Sequence, residues 1–161
     1  MATILMPPSP RSLFMLSSEP LPEMPPFALT SRTGAVVSFQ GIVRDNNDGK
    51  AVVEIEYSAY PELAEREGRR IVAESIERFG LIGGCCIHRI GTLRPGEVAV
   101  RVWAAAAHRL EAFRACELVI DAVKASVPIW KREAYANGDR VWVTCEAHAS
   151  EGMLAHVGHE H

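Results

Sequence analysis

The sequence predicts an α+β fold with a largely antiparallel sheet, and three patterns in the chain carry that prediction. Two segments have the apolar spacing of amphipathic helices, two pairs of strand-like segments each precede a helix, and turn-forming residues separate the strands. The predicted element order is β-β-α-β-β-α-β-β. Strand pairs that are each followed by a helix favour this class over a doubly wound parallel sheet.

The first strand pair lies on either side of a run of turn formers. Residues 34–44 are rich in β-branched and aromatic residues, residues 45–49 read Asp-Asn-Asn-Asp-Gly, and residues 52–59 alternate apolar and polar side chains. We therefore predict that the two strands pair as a hairpin. A helix should follow, beginning at Pro61 and ending at Gly80. Its predicted buried face consists of Leu63, Ile71, Val72, Ile76 and Phe79.

The second half of the chain repeats this pattern. Strands are predicted over residues 85–90 and 98–103, on either side of a Pro-Gly turn. Apolar residues at steps of three and four predict a helix over residues 110–126, and Pro128 ends it. The pair Asn137-Gly138 then favours a type I′ turn between two final strands.

Proline content divides the chain into three parts. Seven of the ten prolines precede residue 34, and proline disfavours both long helices and central strands. Residues 1–33 are therefore predicted to form a partly extended arm, residues 34–146 the folded domain, and residues 147–161 a C-terminal tail.

Composition excludes several classes of function. The chain has 161 residues and a net charge of −3, so no overall basic field would attract nucleic acid or an anionic membrane. No apolar run approaches the length of a membrane helix, and the first residues lack the pattern of a secretory leader. We expect a cytoplasmic protein.

The cysteine and histidine patterns predict no metal site. The four cysteines have no CxxC spacing, which favours buried, reduced thiols. The three histidines after residue 150 are best explained as part of a polar tail.

Positively charged residues concentrate around the second helix. His108 and Arg109 lie at its start, where free N–H groups and the helix dipole favour an anion. Lys124 lies in its last turn, roughly 22 Å away at 1.5 Å per residue, so a dimer interface would be one way to join the two ends. Lys131 follows the helix, and Trp130 is expected to shield its ammonium from water. Local spacing alone leaves helix capping and solvated surface charges as alternatives.

Three segments carry a family resemblance. They read GAVVSFQGIVRDNN, AAAAHRLEAF and VKASVPIWKREAYANGDRVWV, and they occur in this order between residues 34 and 146. In sequence and spacing this region resembles the catalytic subunit of molybdopterin synthase, the MoaE family.

The resemblance implies a fold, an activity and partners. The implied fold is an α+β hammerhead-type fold, and the implied assembly is a homodimer that binds two small ubiquitin-like subunits of the MoaD type, giving a heterotetramer. The small subunit carries a thiocarboxylate on its C-terminal Gly-Gly tail. The implied enzyme is a sulfurtransferase of molybdenum cofactor biosynthesis that converts cyclic pyranopterin monophosphate to molybdopterin by adding two sulfurs. The resemblance implies no metal and no cofactor.

The resemblance also assigns site residues. Lys124 and Lys131 match the family's active-site lysines, and the remaining matches are positions that line the family's substrate pocket. Those positions are Ile42, Val43, Arg44, His108, Arg109, Arg132 and Glu133. On this basis Arg44, His108 and Arg109 are expected to hold the phosphate and pterin, while the two lysines carry the sulfur chemistry in roles that could be exchanged.

Two other functions remain as alternatives. The first is a non-catalytic dimeric module that binds the tail of a ubiquitin-like partner, although the presence of both lysines argues against it. The second is an unrelated phosphate-ester enzyme, but the chain has no P-loop and no carboxylate cluster for Mg²⁺.

Overall fold

A computed structural model describes residues 12–143. The strands are β1 (Ser12–Ser17), β2 (Ala35–Ile42), β3 (Asn46–Asn47), β4 (Lys50–Ala59), β5 (Gly83–Arg89), β6 (Gly91–Leu93), β7 (Val98–Ala106), β8 (Ile129–Tyr135) and β9 (Arg140–Val143). The helices are α1 (Pro61–Phe79) and α2 (Arg109–Ser126). The predicted α+β class is confirmed, and the predicted order is found with β1, β3 and β6 as additional short strands.

The strands form two sheets. The first has the order β1-β5-β7-β2, in which only the edge pair β1–β5 is parallel. The second has the order β3-β4-β8-β9, and β6 also pairs with β4. Every pair in the second sheet is antiparallel, so the sheets are largely antiparallel as predicted.

The predicted hairpin between residues 34–44 and 52–59 is wrong. β2 pairs with β7, whereas β4 pairs with β6 and β8 in the other sheet. The two strands bury most of their apolar residues in different places: Val37 and Phe39 pack on the main core, and Val52 and Ile55 lie in the second core. Only the end of β4, Tyr57 and Ala59, also reaches the main core. One hairpin could not bury both apolar faces in these separate places.

Two turns show how local sequence determines the hairpins that do form. Asp48 and Gly49 join β3 to β4 with φ values of 50° and 79°, the positive pair that a type I′ turn requires. At the β8–β9 hairpin only Gly138 has a positive φ, so the predicted type I′ turn is wrong. Its N–H donates to the carbonyl oxygen of Tyr135, and Tyr135 in turn donates to Asp139, which makes a longer loop.

Helix α1 has the bounds that the sequence predicts, and four of its five predicted core residues, Ile71, Val72, Ile76 and Phe79, pack in or against the main core. Gly80 ends it in the left-handed conformation. The predicted core residue Leu63 is exposed, and the buried positions are Ala64, Gly68, Ile71, Val72 and Ser75. Small residues line this face because the ring of Phe14, from β1, packs directly on Gly68.

The main core lies between the first sheet and the two helices. α2 contributes the buried residues Ala112, Ala115, Cys116, Val119, Ile120 and Val123. The other face of the sheet is covered by residues 18–33, whose Leu21 and Phe27 pack near Trp103. Arg101 holds this covering segment in place by donating to the carbonyl oxygen of Pro22. Neither helix of the described chain has the length and apolar character needed to cross a membrane.

Replacing Gly68 by alanine tests the contact between β1 and α1. Inside a helix this change ordinarily stabilises by about 1 kcal/mol. Here the new Cβ would lie 2.2 Å from Cγ of the buried Phe14 ring. We expect Gly68→Ala to lower the free energy of unfolding by about 1 to 3 kcal/mol, measured by urea denaturation. Adding Phe14→Leu should recover part of the loss, and a more stable single variant would contradict the packing.

Candidate active site

A cavity of about 550 Å³ lies where the C-terminal end of α2 meets strands from both sheets. Three positively charged side chains line it: Arg44 after β2, Lys124 in the last turn of α2, and Lys131 in β8. One chain therefore brings both candidate lysines and Arg44 together. The other lining residues are Gly41, Ile42, Tyr57, His88, Ala99, Val100, Ile120, Asp121, Val123, Ala125, Val127 and Ile129.

Lys131 reaches the cavity because of the alternation of side chains along β8. Lys131, Glu133 and Tyr135 share one face of the strand, while Trp130 and Arg132 lie on the other. Trp130 therefore does not shield the Lys131 ammonium as the sequence suggested. That ammonium instead faces a carboxylate, with 3.4 Å between its Nζ and Oε1 of Glu133.

Glu133 is 3% exposed and is the centre of a hydrogen-bond network. Its Oε2 accepts hydrogen bonds from the hydroxyl of Tyr135 at 2.5 Å and from Nδ2 of Asn47 at 2.7 Å. Burial alone would raise the pKa of Glu133, but these two donors and the Lys131 ammonium together lower it. Glu133 is therefore a charged partner of Lys131, and it lies behind the lysine rather than at the cavity wall.

His88 lies in the cavity wall near Lys124, and the sequence reasoning did not select it. Burial lowers its pKa to about 4; a hydrogen bond to Arg89 opposes this shift and the Lys124 charge adds to it. The ring is therefore neutral at physiological pH. Its Nδ1 lies 2.7 Å from the carbonyl oxygen of Arg89 and so carries the proton, and the ring packs edge-on against Tyr57 at 5.0 Å.

The residues around the end of β2 divide between the cavity and the core. A register shift between Gly41 and Ile42 ends the regular pairing of β2. Ile42 and Arg44 are exposed and line the cavity. Val43, between them, is 4% exposed and lies in the second core with Val52, so it supports the cavity from behind.

His108 and Arg109 lie at the far end of α2 and do not line this cavity. The helix has 18 residues, which places its two ends about 25 Å apart. Both side chains are exposed, and His108 is the N-cap residue without a side-chain capping hydrogen bond. Within one chain, they cannot reach a small ligand that contacts Lys124.

Arg132 also lies away from the cavity. Its guanidinium pairs with the Glu56 carboxylate at 2.6 Å and stacks over the Trp142 ring at 5.4 Å. Side chains of the motif Trp-Lys-Arg-Glu therefore alternate between the two faces of β8. Lys131 and Glu133 lie on the cavity side, and Arg132 forms its contacts on the opposite face.

The thiols within the described chain are structural. Burial raises the pKa of Cys85 to about 12 and that of Cys116 to about 11, and it also raises the pKa of Cys86. Thiols in this state are poor nucleophiles. Residues 12–143 contain no cluster of three or more histidine, cysteine or acidic side chains that could hold a metal. Cys145 and the C-terminal histidines lie outside the described residues.

Comparison with known proteins identifies relatives of this fold and site. The family model described as MoaE protein matches residues 20–126. A molybdopterin synthase catalytic subunit from Ralstonia nicotianae is 47% identical over 125 residues, which cover 78% of this chain and 70% of the relative.

Solved structures agree with this match. The crystal structure of molybdopterin synthase from Staphylococcus aureus superposes with a TM-score of 0.76 at 35% identity, covering 81% of this chain and 96% of that one. A complex of subunits 1 and 2 of molybdopterin-converting factor from Helicobacter pylori has a TM-score of 0.59 at 22% identity, over 70% and 73% of the two chains. The latter likeness shows the fold alone. The chain belongs to the MoaE family, whose matched curated relatives are catalytic subunits of molybdopterin synthase.

Proposed function

We propose that this chain transfers sulfur to cyclic pyranopterin monophosphate to form molybdopterin. The observation that carries the proposal is the single cavity in which Arg44, Lys124 and Lys131 meet. Its volume of about 550 Å³ falls within the range of about 300 to 1,000 Å³ that small-molecule sites occupy. Three positive charges in a chain of net charge −3 make this a local site for an anionic ligand.

The sulfur would come from outside the chain. The buried thiols of residues 12–143 are poor nucleophiles, which supports delivery as the C-terminal thiocarboxylate of a small ubiquitin-like subunit. In each transfer the thiocarboxylate sulfur forms a carbon–sulfur bond on the pterin side chain as a carbon–oxygen bond of that carbon breaks, which gives a thioester to the tail. Water then cleaves the acyl carbon–sulfur bond, so that the sulfur stays on the pterin and the tail leaves as a carboxylate. Two tails supply the two sulfurs without a metal or cofactor.

Each positively charged residue of the cavity would have a separate role in binding or catalysis. Arg44 would bind the phosphate, because a guanidinium forms strong charge-assisted hydrogen bonds to phosphate oxygens. Lys131, held by Glu133, would polarise the reacting carbon centre or donate a proton to it. Lys124 would orient the incoming thiocarboxylate and stabilise the charge that develops on it. Ile42 would contact the apolar edge of the ligand.

We further propose that the functional unit is a homodimer with two small subunits. The solved Helicobacter pylori relative is a complex of two kinds of subunit, which supports a small partner. Because His108 and Arg109 lie roughly 22 Å from Lys124 along α2, they would have to reach the cavity from a second copy of the chain. There they would bind the substrate phosphate.

The decisive experiment combines this chain with a thiocarboxylated small subunit and the pterin precursor. Mass spectrometry should show the pterin product with two added sulfurs. If the small subunit binds but no sulfur is transferred, the alternative of a non-catalytic binding module is correct.

Lys131→Ala tests the lysine assignment. We expect the variant to keep its fold and partner affinity but to lose sulfur transfer by about 100-fold, because it removes a preorganised charge from the reacting centre. Single-turnover rates measure the effect. Arg70→Ala, which breaks exposed ion pairs on α1, is the matched control and should transfer sulfur at the normal rate. Normal turnover in Lys131→Ala would refute the assignment.

Mixing two inactive variants tests the shared site. If the partner subunit supplies Arg109, co-expressed Lys131→Ala and Arg109→Ala chains form heterodimers in which one of the two sites is intact. Random pairing should then restore about a quarter of the normal activity. If each site is built from one chain, the mixture stays as inactive as its components.

A further inference from the structure

Lys131 is held in place by a network that begins outside the cavity. The two oxygens of Glu133 have separate partners: Oε1 faces Lys131, and Oε2 accepts from Tyr135 and Asn47. Neither Asn47 nor Tyr135 lines the cavity. These two side chains therefore influence the cavity only through their hydrogen bonds to the Glu133 carboxylate.

Both donors are fixed by the fold. Tyr135 is the last residue of β8, and its ring is buried in the second core with Val52 and Leu93. Asn47 lies in β3, which the tight turn at Asp48 and Gly49 holds against β4. The donors come from separate strands and converge on one oxygen, so the carboxylate cannot rotate without losing a hydrogen bond.

We propose that Asn47 and Tyr135 are positioning residues for Lys131 and act through Glu133. The two donors fix the carboxylate, and the carboxylate fixes the ammonium at the cavity wall before any ligand arrives. The proposal rests on the function proposed above, in which Lys131 acts on the bound pterin. It gives this lysine the role of a preorganised positive charge.

The charges around Glu133 are consistent with this arrangement. The groups that face it are Lys131 and Tyr135 from its own strand and Asn47 from β3, while Asp48 and the ammonium of Lys50 lie near the Tyr135 ring. The hydrogen bond to Glu133, with burial, raises the pKa of the Tyr135 hydroxyl, which therefore stays protonated and remains a donor. The lowered pKa of Glu133 keeps the carboxylate charged.

Tyr135→Phe removes the hydroxyl and leaves the ring in the core. With thiocarboxylated small subunit and pterin precursor, we expect kcat to fall about tenfold, the size of one hydrogen bond to a charged group, with a smaller change in KM. The acid limb of the kcat profile should also move to higher pH. The direction follows because losing a donor raises the pKa of Glu133, so the carboxylate is protonated, and releases Lys131, at a higher pH.

Asn47→Asp is a second and stronger variant. It replaces a donor with a like charge beside Glu133, so the acid limb should move further than in Tyr135→Phe. Glu54→Gln is the matched control, because it weakens a partly exposed ion pair with Arg140 in the same sheet and should leave both kcat and the pH profile unchanged. A wild-type pH profile in both network variants would overturn the proposal.

A readout independent of activity separates this proposal from the proposed function. Acetic anhydride labelling at pH 7, read lysine by lysine by peptide mass spectrometry, compares Lys131 with Lys124 in the folded protein. Tyr135→Phe, which loosens the carboxylate without adding a charge, should raise the labelling of Lys131 about tenfold relative to Lys124. An unchanged ratio overturns the positioning role even if the wild type transfers sulfur, and a raised ratio supports it even if the wild type does not.

Discussion

The structure depends on the burial of β7, which is covered on both faces from Ala99 to Ala106. The helices cover the face that carries Val100, Val102 and Ala104, and residues 18–33 cover the face that carries Trp103. Small side chains at the end of the strand allow α2 to lie close to the sheet. Burying a strand that is apolar on both faces stabilises the fold, and the helices lie where they cover one of those faces.

The cavity forms where this layered core stops and the second sheet begins. The pairing of β2 with β7 shifts register between Gly41 and Ile42, β2 ends at Ile42, and Val43 then enters the second core. That step places Arg44 beside the end of α2 and the start of β8. The three cations therefore come from separate elements, and a slightly acidic chain acquires a cationic site without any basic run in its sequence.

The elements were predictable from the sequence because periodicity and end signals are local. Pro61 and Gly80 bound α1 as expected, and the spacing over residues 110–126 found α2. Sheet pairing was not predictable in the same way, since it depends on which distant core each apolar face joins. The wrong hairpin of β2 with β4 is the result.

The positions of the site residues were likewise predictable only where they depend on local sequence. Helix length was enough to separate Lys124 from His108, whereas the sequence analysis grouped Arg132 with Lys131 and Glu133, and only the structure shows that β8 places Arg132 on the opposite face. His88 gave only a weak signal in the sequence, a histidine within an otherwise apolar strand. Its place in the cavity wall and its lowered pKa depend on residues that are far away in the sequence.

The two lysines differ in what the protein does for them, and this difference bears on their proposed roles. Lys131 already faces a buried carboxylate that three partners hold in its charged form. Lys124 is exposed at the end of a helix, beside a histidine that burial keeps neutral. A fixed cation suits a centre whose position is set by the bound pterin. Under the proposed function, an exposed cation suits a tail that has to enter and leave the site, so the two environments favour the proposed assignment of Lys131 to the pterin and Lys124 to the thiocarboxylate.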